Sequence, residues 1–192
     1  YFRATRRYAD LKTHDAKSFD RSGVFGETVG LIGLGKIGTR LRNLLATYPI
    51  KVLAYDPFLT DERVEELNVE SVSLAELFKR SLVVSNHIPD IESTVGTLRR
   101  EHFAEMRDGA TFINSGRGAQ VVEEDLISVL ENRPDLTALL DVTLPEPPPQ
   151  DSSLWRLPNV VISPHIGGTV GDEVVRLADC VIDEYKRWQA GE

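Results

Sequence analysis

Glycines at positions 33, 35 and 38 spell G-x-G-x-x-G directly after the apolar run "TVGLI" and at the head of a helical pattern. In that context the spacing carries a specific chemistry. The first glycine permits a tight turn, the second lets bare backbone approach a pyrophosphate, and the third lets the helix pack close against the strand. The start of the helix adds free N–H groups and the positive end of its dipole. A second apolar run, "KVLAY", leads to Asp56, where a carboxylate accepts hydrogen bonds from ribose hydroxyls. A 2′-phosphate at that place would face like charge. Pro57 and Phe58 follow with no arginine, so the pattern favours NAD over NADP.

Four more polar stretches follow strand-like runs: "SNHIPD" (85–90), "INSGRG" (113–118), "LDVTLPEP" (140–147) and "SPHIGG" (163–168). They carry His87, then Asn114 and Arg117, then Asp141 and Glu146, then His165. In open α/β sheets ligands bind beyond the carboxyl ends of the strands. One edge of such a sheet would therefore gather an arginine, a glutamate, a histidine, an aspartate and a dinucleotide. Asn114 reads as a turn residue bonding local backbone. His14 and His102 belong to no constellation, and the lone Cys180 with four histidines gives no metal-ligand spacing, so no metal is expected.

The elements that must position these groups are legible in outline. Apolar runs at 28–32, 51–55, 82–85, 110–113, 137–142 and 159–163 are nearly continuous rather than alternating, as in strands buried on both faces. Helical patterns lie between them. Ile37, Leu41, Leu44 and Leu45 form one expected apolar stripe, "SLAEL" from Ser73 has a capping-box start with Glu76, and "VEEDLISVLEN" (122–132) is a third helix. The alternation predicts a doubly wound parallel sheet of the Rossmann type. Residues 1–21 read as a polar connecting segment, helical to about Lys12. The dinucleotide-binding domain spans 22–172, and 173–192 form a closing helix whose face of Val174, Val175, Ala178, Val181, Ile182 and Tyr185 predicts packing, with Cys180 packed as well. Trp155 and Trp188 read as anchors.

Bulk properties narrow the field. Among 192 residues, 41% are hydrophobic and 27% charged, enough for a sizeable core. The net charge of −8 argues against nucleic acid or a membrane surface as partner. A single cysteine fits a reducing compartment, and no run is long enough for a membrane helix, so a cytoplasmic protein is expected.

Over roughly residues 22 to 172, "GLGKIG", "YDP", "INSGRG", "LDV…EP" and "PHIGG" resemble, in order and spacing, the D-isomer-specific 2-hydroxyacid dehydrogenase family. The resemblance implies an NAD-dependent oxidoreductase acting on a 2-hydroxy acid/2-oxo acid pair. It makes His165 the general acid/base, Glu146 the carboxylate that orients it, and Arg117 the group that binds the substrate carboxylate or carbonyl. Cofactor contacts fall to Gly33, Gly35, Lys36, Ile37, Gly38, Asp56, His87, Pro89, Asp141, Gly167 and Gly168, with Asp141 on the nicotinamide carboxamide. "QVVEED" after "GRG" and "ENRPDLT" before the next strand depart from the family pattern and bear on substrate rather than reaction type. The family's separate substrate domain is expected to be largely absent from this sequence, so the chain is expected to be mainly a cofactor domain that turns over slowly or not at all by itself, and a homodimer is expected. The alternative from another class is an NAD(H)-sensing protein resembling the family's corepressors.

Overall fold

A computed structural model describes residues 23–191. The expected connecting segment, its helix and His14 lie outside the described residues. Seven parallel strands run in the order β3-β2-β1-β4-β5-β6-β7. They are β1 (Thr28–Ile32), β2 (Lys51–Tyr55), β3 (Glu70–Ser71), β4 (Val83–Asn86), β5 (Thr111–Asn114), β6 (Thr137–Leu140) and β7 (Val160–Ile162). The helices are α1 (Lys36–Leu45), α2 (Asp61–Leu67), α3 (Leu74–Arg80), α4 (Arg100–Ala104), α5 (Glu123–Asn132) and α6 (Glu173–Ala190). Order reverses between β1 and β4, and that reversal opens a crevice at the carboxyl edge.

Two cores explain why the strands read as continuously apolar. Successive side chains of a strand point to opposite faces. Leu31, Val52 and Ala54 enter the core beneath α1 and α2 with Leu34, Leu67 and Val69. Their neighbours Ile32 and Leu53 enter the larger core beneath α3 to α5 with Leu77, Val84, Leu126 and Leu140. Phe103 sits edge-on to both Phe78 and Phe112, at centroid distances of 5.7 and 5.2 Å. Burying each such ring contributes roughly 1.5–3 kcal/mol. Ser73 Oγ accepts from the Glu76 N–H at 3.2 Å and caps α3, the serine half of the expected capping box.

Several expectations need correction. Strands β4 and β5 sit one residue later than the apolar runs suggested, and β6 stops at Leu140. The two-residue β3, α2 and α4 carry too little periodicity to stand out. The stripe on α1 splits: Gly38 and Arg42 are buried, Leu41 and Leu45 are half-buried, and Ile37 and Leu44 are exposed. Gly38 explains the rotation, because the missing side chain lets that face lie flat on the sheet. All of α6 is exposed, Cys180 and Trp188 included, so its apolar face is unpacked within the described residues. Trp155 is also half exposed; its indole N–H donates to the Pro149 carbonyl at 3.0 Å and ties down the proline-rich loop. No helix of the described residues is long and apolar enough to cross a membrane.

Candidate active site

The glycine loop fits a dinucleotide by what it leaves empty. Gly33 has φ +87°, a conformation that favours glycine. A Cβ at Gly38 would collide with the Gly33 carbonyl oxygen, so α1 can start this close to β1 only with glycine there. A Cβ at Gly35 would meet nothing within 4 Å, which leaves open space beside the exposed N-terminal turn of α1, where Lys36 and Ile37 stand in solvent. That exposed helix start leaves room for a pyrophosphate to approach the backbone. Asp56, past the end of β2, accepts the Leu34 N–H on Oδ2 at 2.8 Å and the Phe58 N–H on Oδ1 at 2.9 Å. The carboxylate thereby straps the glycine loop to β2. Each oxygen keeps an acceptor site for a ribose hydroxyl, since an ionised carboxylate offers about four.

His87 and Pro89 form the other wall of the crevice. A Cβ on Gly33 would touch the His87 carbonyl and the Ile88 nitrogen at 3.0 Å, so the two loops are in backbone contact. The His87 ring is half-buried, shares a hydrogen bond with Ser85 Oγ at 2.9 Å, and is pushed below its ordinary pKa by burial. This is a shaping role for the loop more than a reactive one.

Across the switch point, three loops meet. His165 Nδ1 lies 2.7 Å from Glu146 Oε1, with both side chains about 40% exposed (43% and 42%). His165 adopts φ +52°, unusual for a residue with a side chain, and strain of that kind costs of order 1–3 kcal/mol. Asp141 holds the strained loop in place. Its Oδ1 accepts from Ser163 Oγ at 2.5 Å and from the Ile166 N–H at 2.9 Å, and its Oδ2 accepts from the Gly167 N–H at 2.7 Å. Burial pushes the Asp141 carboxyl up, but those hydrogen bonds and the nearby His165 outweigh it and hold it below the usual value. The geometry thus engages Asp141 with its own protein, beyond the carboxamide contact expected from sequence.

The arginine turn touches the same two loops. A Cβ on Gly167 would lie 3.8 Å from Ser115 Cβ, and one on Gly118 would collide with the Thr143 backbone. The loop from β6 is further fixed by Glu123 Oε1 of α5, which accepts the Leu144 N–H at 2.6 Å. Arg117 is exposed, with one guanidinium N–H on the Gly116 carbonyl at 2.8 Å. Gly168 stands open, with nothing near a would-be Cβ. Asn114 does bond its local backbone, accepting from Gly116 N–H at 3.1 Å and donating to the Arg117 carbonyl at 3.0 Å. His102 stays apart, its Nδ1 accepting from the Arg99 N–H and its ring against Phe78. Among the described residues no cluster of His, Cys, Asp and Glu is placed to hold a metal.

Sequence reasoning passed over Ser163, Asn86 and Gln120. Gln120 did leave a signal: it stands three residues after Arg117, the spacing at which a side chain reaches back to a cap N–H.

Residues 2–167 match the family model described as D-isomer specific 2-hydroxyacid dehydrogenase, NAD binding domain. The D-3-phosphoglycerate dehydrogenase of Mycobacterium bovis is 34% identical over 186 residues, which is 96% of this chain and 35% of that protein. The D-lactate dehydrogenase of Lactobacillus jensenii, solved with NAD+, superposes with TM-score 0.79 and 27% identity, covering 100% of this chain and 60% of that one. The holo D-mandelate dehydrogenase of Rhodotorula graminis gives TM-score 0.78 and 27% identity, covering 96% and 56%. The chain spans less than two thirds of each of these relatives.

Proposed function

This chain belongs to the D-isomer specific 2-hydroxyacid dehydrogenases through their NAD-binding domain, and we propose that it forms the cofactor-holding and proton-handling half of an NAD-dependent oxidoreductase acting on a D-2-hydroxy acid/2-oxo acid pair. The observation that carries the reading is the His165–Glu146 pair at 2.7 Å, on a sheet edge shared with the glycine loop and the Arg117 turn.

Each group has a task its chemistry suits. NAD supplies the hydride acceptor or donor when bound. The glycine loop and the start of α1 hold the diphosphate, and Asp56 takes the ribose. His165 accepts the proton of the substrate hydroxyl in oxidation and returns one in reduction, a task for which a ring nitrogen is suited. Glu146 orients the ring and stabilises its protonated form. Arg117 binds the substrate carboxylate or carbonyl oxygen through a planar fork of donors. Asp141 keeps His165 at its left-handed turn. The named relatives are dehydrogenases, which favours this reading over an NAD(H) sensor. It extends to a homodimer as the working form, supported by exposed Ile37, Leu44 and Tyr48, and to the cytoplasm, supported by the single cysteine.

The test is His165→Gln in a chain extended to the relatives' full length, assayed by NADH absorbance over a panel of 2-oxo acids. Turnover is expected to fall by roughly 10²–10⁴ with NADH affinity unchanged, since the imidazole acts on substrate. Turnover that survives the substitution removes His165 from the reaction.

A further inference from the structure

Three buried amides lie beneath the arginine turn. Asn86 at the end of β4, Asn114 at the end of β5, and Gln120 in the short 3-10 turn Gly118–Gln120 are 0%, 1% and 0% exposed. Asn86 Nδ2 donates to Asn114 Oδ1 at 3.0 Å and to Gln120 Oε1 at 2.5 Å. Gln120 Nε2 donates to the carbonyls of Ile88 at 2.7 Å and Pro89 at 2.9 Å. Its Oε1 also accepts the Arg117 N–H at 3.2 Å. Arg117 is therefore held on both sides of its backbone, by Gln120 at the nitrogen and by Asn114 at the carbonyl. Neither Gly116 nor Gly118 leaves room to slip: a Cβ on Gly116 would lie 2.8 Å from Gln120 Oε1 and 3.1 Å from Asn86 Nδ2.

Burying three amides carries a desolvation cost that hydrophobic side chains of similar volume would avoid, so a satisfied network has to be explained by what it fixes. This one joins two loops with different tasks. The Ile88–Pro89 backbone lines the dinucleotide crevice, and its neighbour His87 touches Gly33. Arg117 stands at the substrate side. We propose that Gln120 is a positioning residue for Arg117, one that ties the Ile88–Pro89 backbone to the arginine turn so that the cofactor loop and the arginine move as a unit. The proposal rests on the reading that a dinucleotide occupies the glycine loop. Filling the crevice then sets the arginine before substrate arrives.

ADP-ribose tests this link without the nicotinamide ring: it carries the adenosine, the diphosphate and a second ribose. Loss of the Arg117 response on replacing Gln120 then separates transmission through the protein from direct contact with that ribose. The experiment is an amide ¹H–¹⁵N titration of the 192-residue chain with ADP-ribose, unsubstituted and as Gln120→Met, a swap of similar length without polar atoms. In the unsubstituted chain, signals of Leu34, Ile88, Gly116 and Arg117 are expected to shift along one saturation curve. In Gln120→Met, Leu34 and Ile88 are expected to shift at similar ADP-ribose concentrations while the shift at Arg117 is lost. A purely structural glutamine would lower stability yet leave the Arg117 response in place, and that result overturns the proposal. Where Gln120→Met loses amide dispersion, Gln120→Asn, one methylene short of the Ile88 and Pro89 carbonyls, takes its place with the same two outcomes. Absence of ADP-ribose shifts at Leu34 in the unsubstituted chain overturns the cofactor reading and this link with it. Shifts at Leu34 with Arg117 silent overturn the link alone.

Discussion

The two sides of the switch point build their sites from different materials. On the β1–β2 side the groups proposed to face ligand are backbone N–H groups, the open face of Gly35, and one carboxylate already tied to two backbone nitrogens. On the β5–β7 side they are side chains, Arg117, Glu146 and His165, each from its own loop and each dependent on neighbours for its setting. A backbone site is as rigid as the turn that makes it and is encoded in one contiguous string. A side-chain site is held by a shell of hydrogen bonds spread along the chain, so each loop can be perturbed by itself.

Paired glycine substitutions put the largest strain on that contrast. Gly38→Ala and Gly118→Ala each force a Cβ onto backbone, Gly33 in one case and Thr143 in the other. Overpacking of this kind costs about 1–3 kcal/mol and displaces whatever backbone can yield. Gly38→Ala is expected to abolish NADH binding in a fluorescence titration, because the displaced strand–helix turn is itself the proposed binding surface. Gly118→Ala is expected to keep NADH binding and lose turnover in the full-length chain. Equal loss of NADH binding in both would show that the two sides do not act separately.

A smaller effect is expected at Asp141, whose carboxylate receives three donors from the His165 loop. Asp141→Asn keeps the shape but sets an NH2 against one of those donors. Losing one or two charge-assisted hydrogen bonds costs about 1.5–3 kcal/mol each, taken partly from the strained turn at His165. The expected result is a kcat lowered by about tenfold or more with NADH affinity retained. A weakened NADH affinity at unchanged kcat would assign Asp141 to the carboxamide instead, moving it to the cofactor side of the comparison.

The same contrast explains what was legible. The glycine string, its strand and Asp56 could be read because a turn, a close approach and a helix start must follow one another in the chain. From spacing alone Arg117, Glu146 and His165 could be read only as following strand ends; their roles came from the family resemblance, and the topology supplies their meeting. The α1 face was misjudged because Ile37 and Leu44 are apolar by type while Gly38 decides which side lies on the sheet. Gln120 and Asn86 were passed over because burial of an amide is a tertiary fact: nothing in "RGAQ" or "SNH" says that their partners are each other. Likewise α6 shows an apolar face in sequence, and only the structure shows that nothing among the described residues covers it.

His87 sits on the seam between the two sides, and it offers the subtlest test. Its backbone touches Gly33, while the next residue hands its carbonyl to Gln120. Burial pushes the imidazole below its ordinary value, so the folded chain holds it neutral where the unfolded chain, near pH 6.5, takes a proton. Below that pH the unfolded state binds more protons, so the contribution of His87 is fully present above about pH 6.5 and is lost as pH falls toward the depressed folded value. His102 is also pushed down by burial and adds a slope of the same sign. His87→Gln, which keeps a hydrogen-bonding group near Ser85, is therefore expected to reduce the loss of stability between pH 7.5 and pH 5.5 without removing it. The change is at most about 1.4 kcal/mol per pH unit for one proton, and less for a half-buried ring. Urea midpoints at the two pH values measure it. Identical slopes in both proteins would mean that the ring reaches solvent in the folded state, and the crevice wall between the cofactor loop and the arginine turn would then be looser than its backbone contacts indicate.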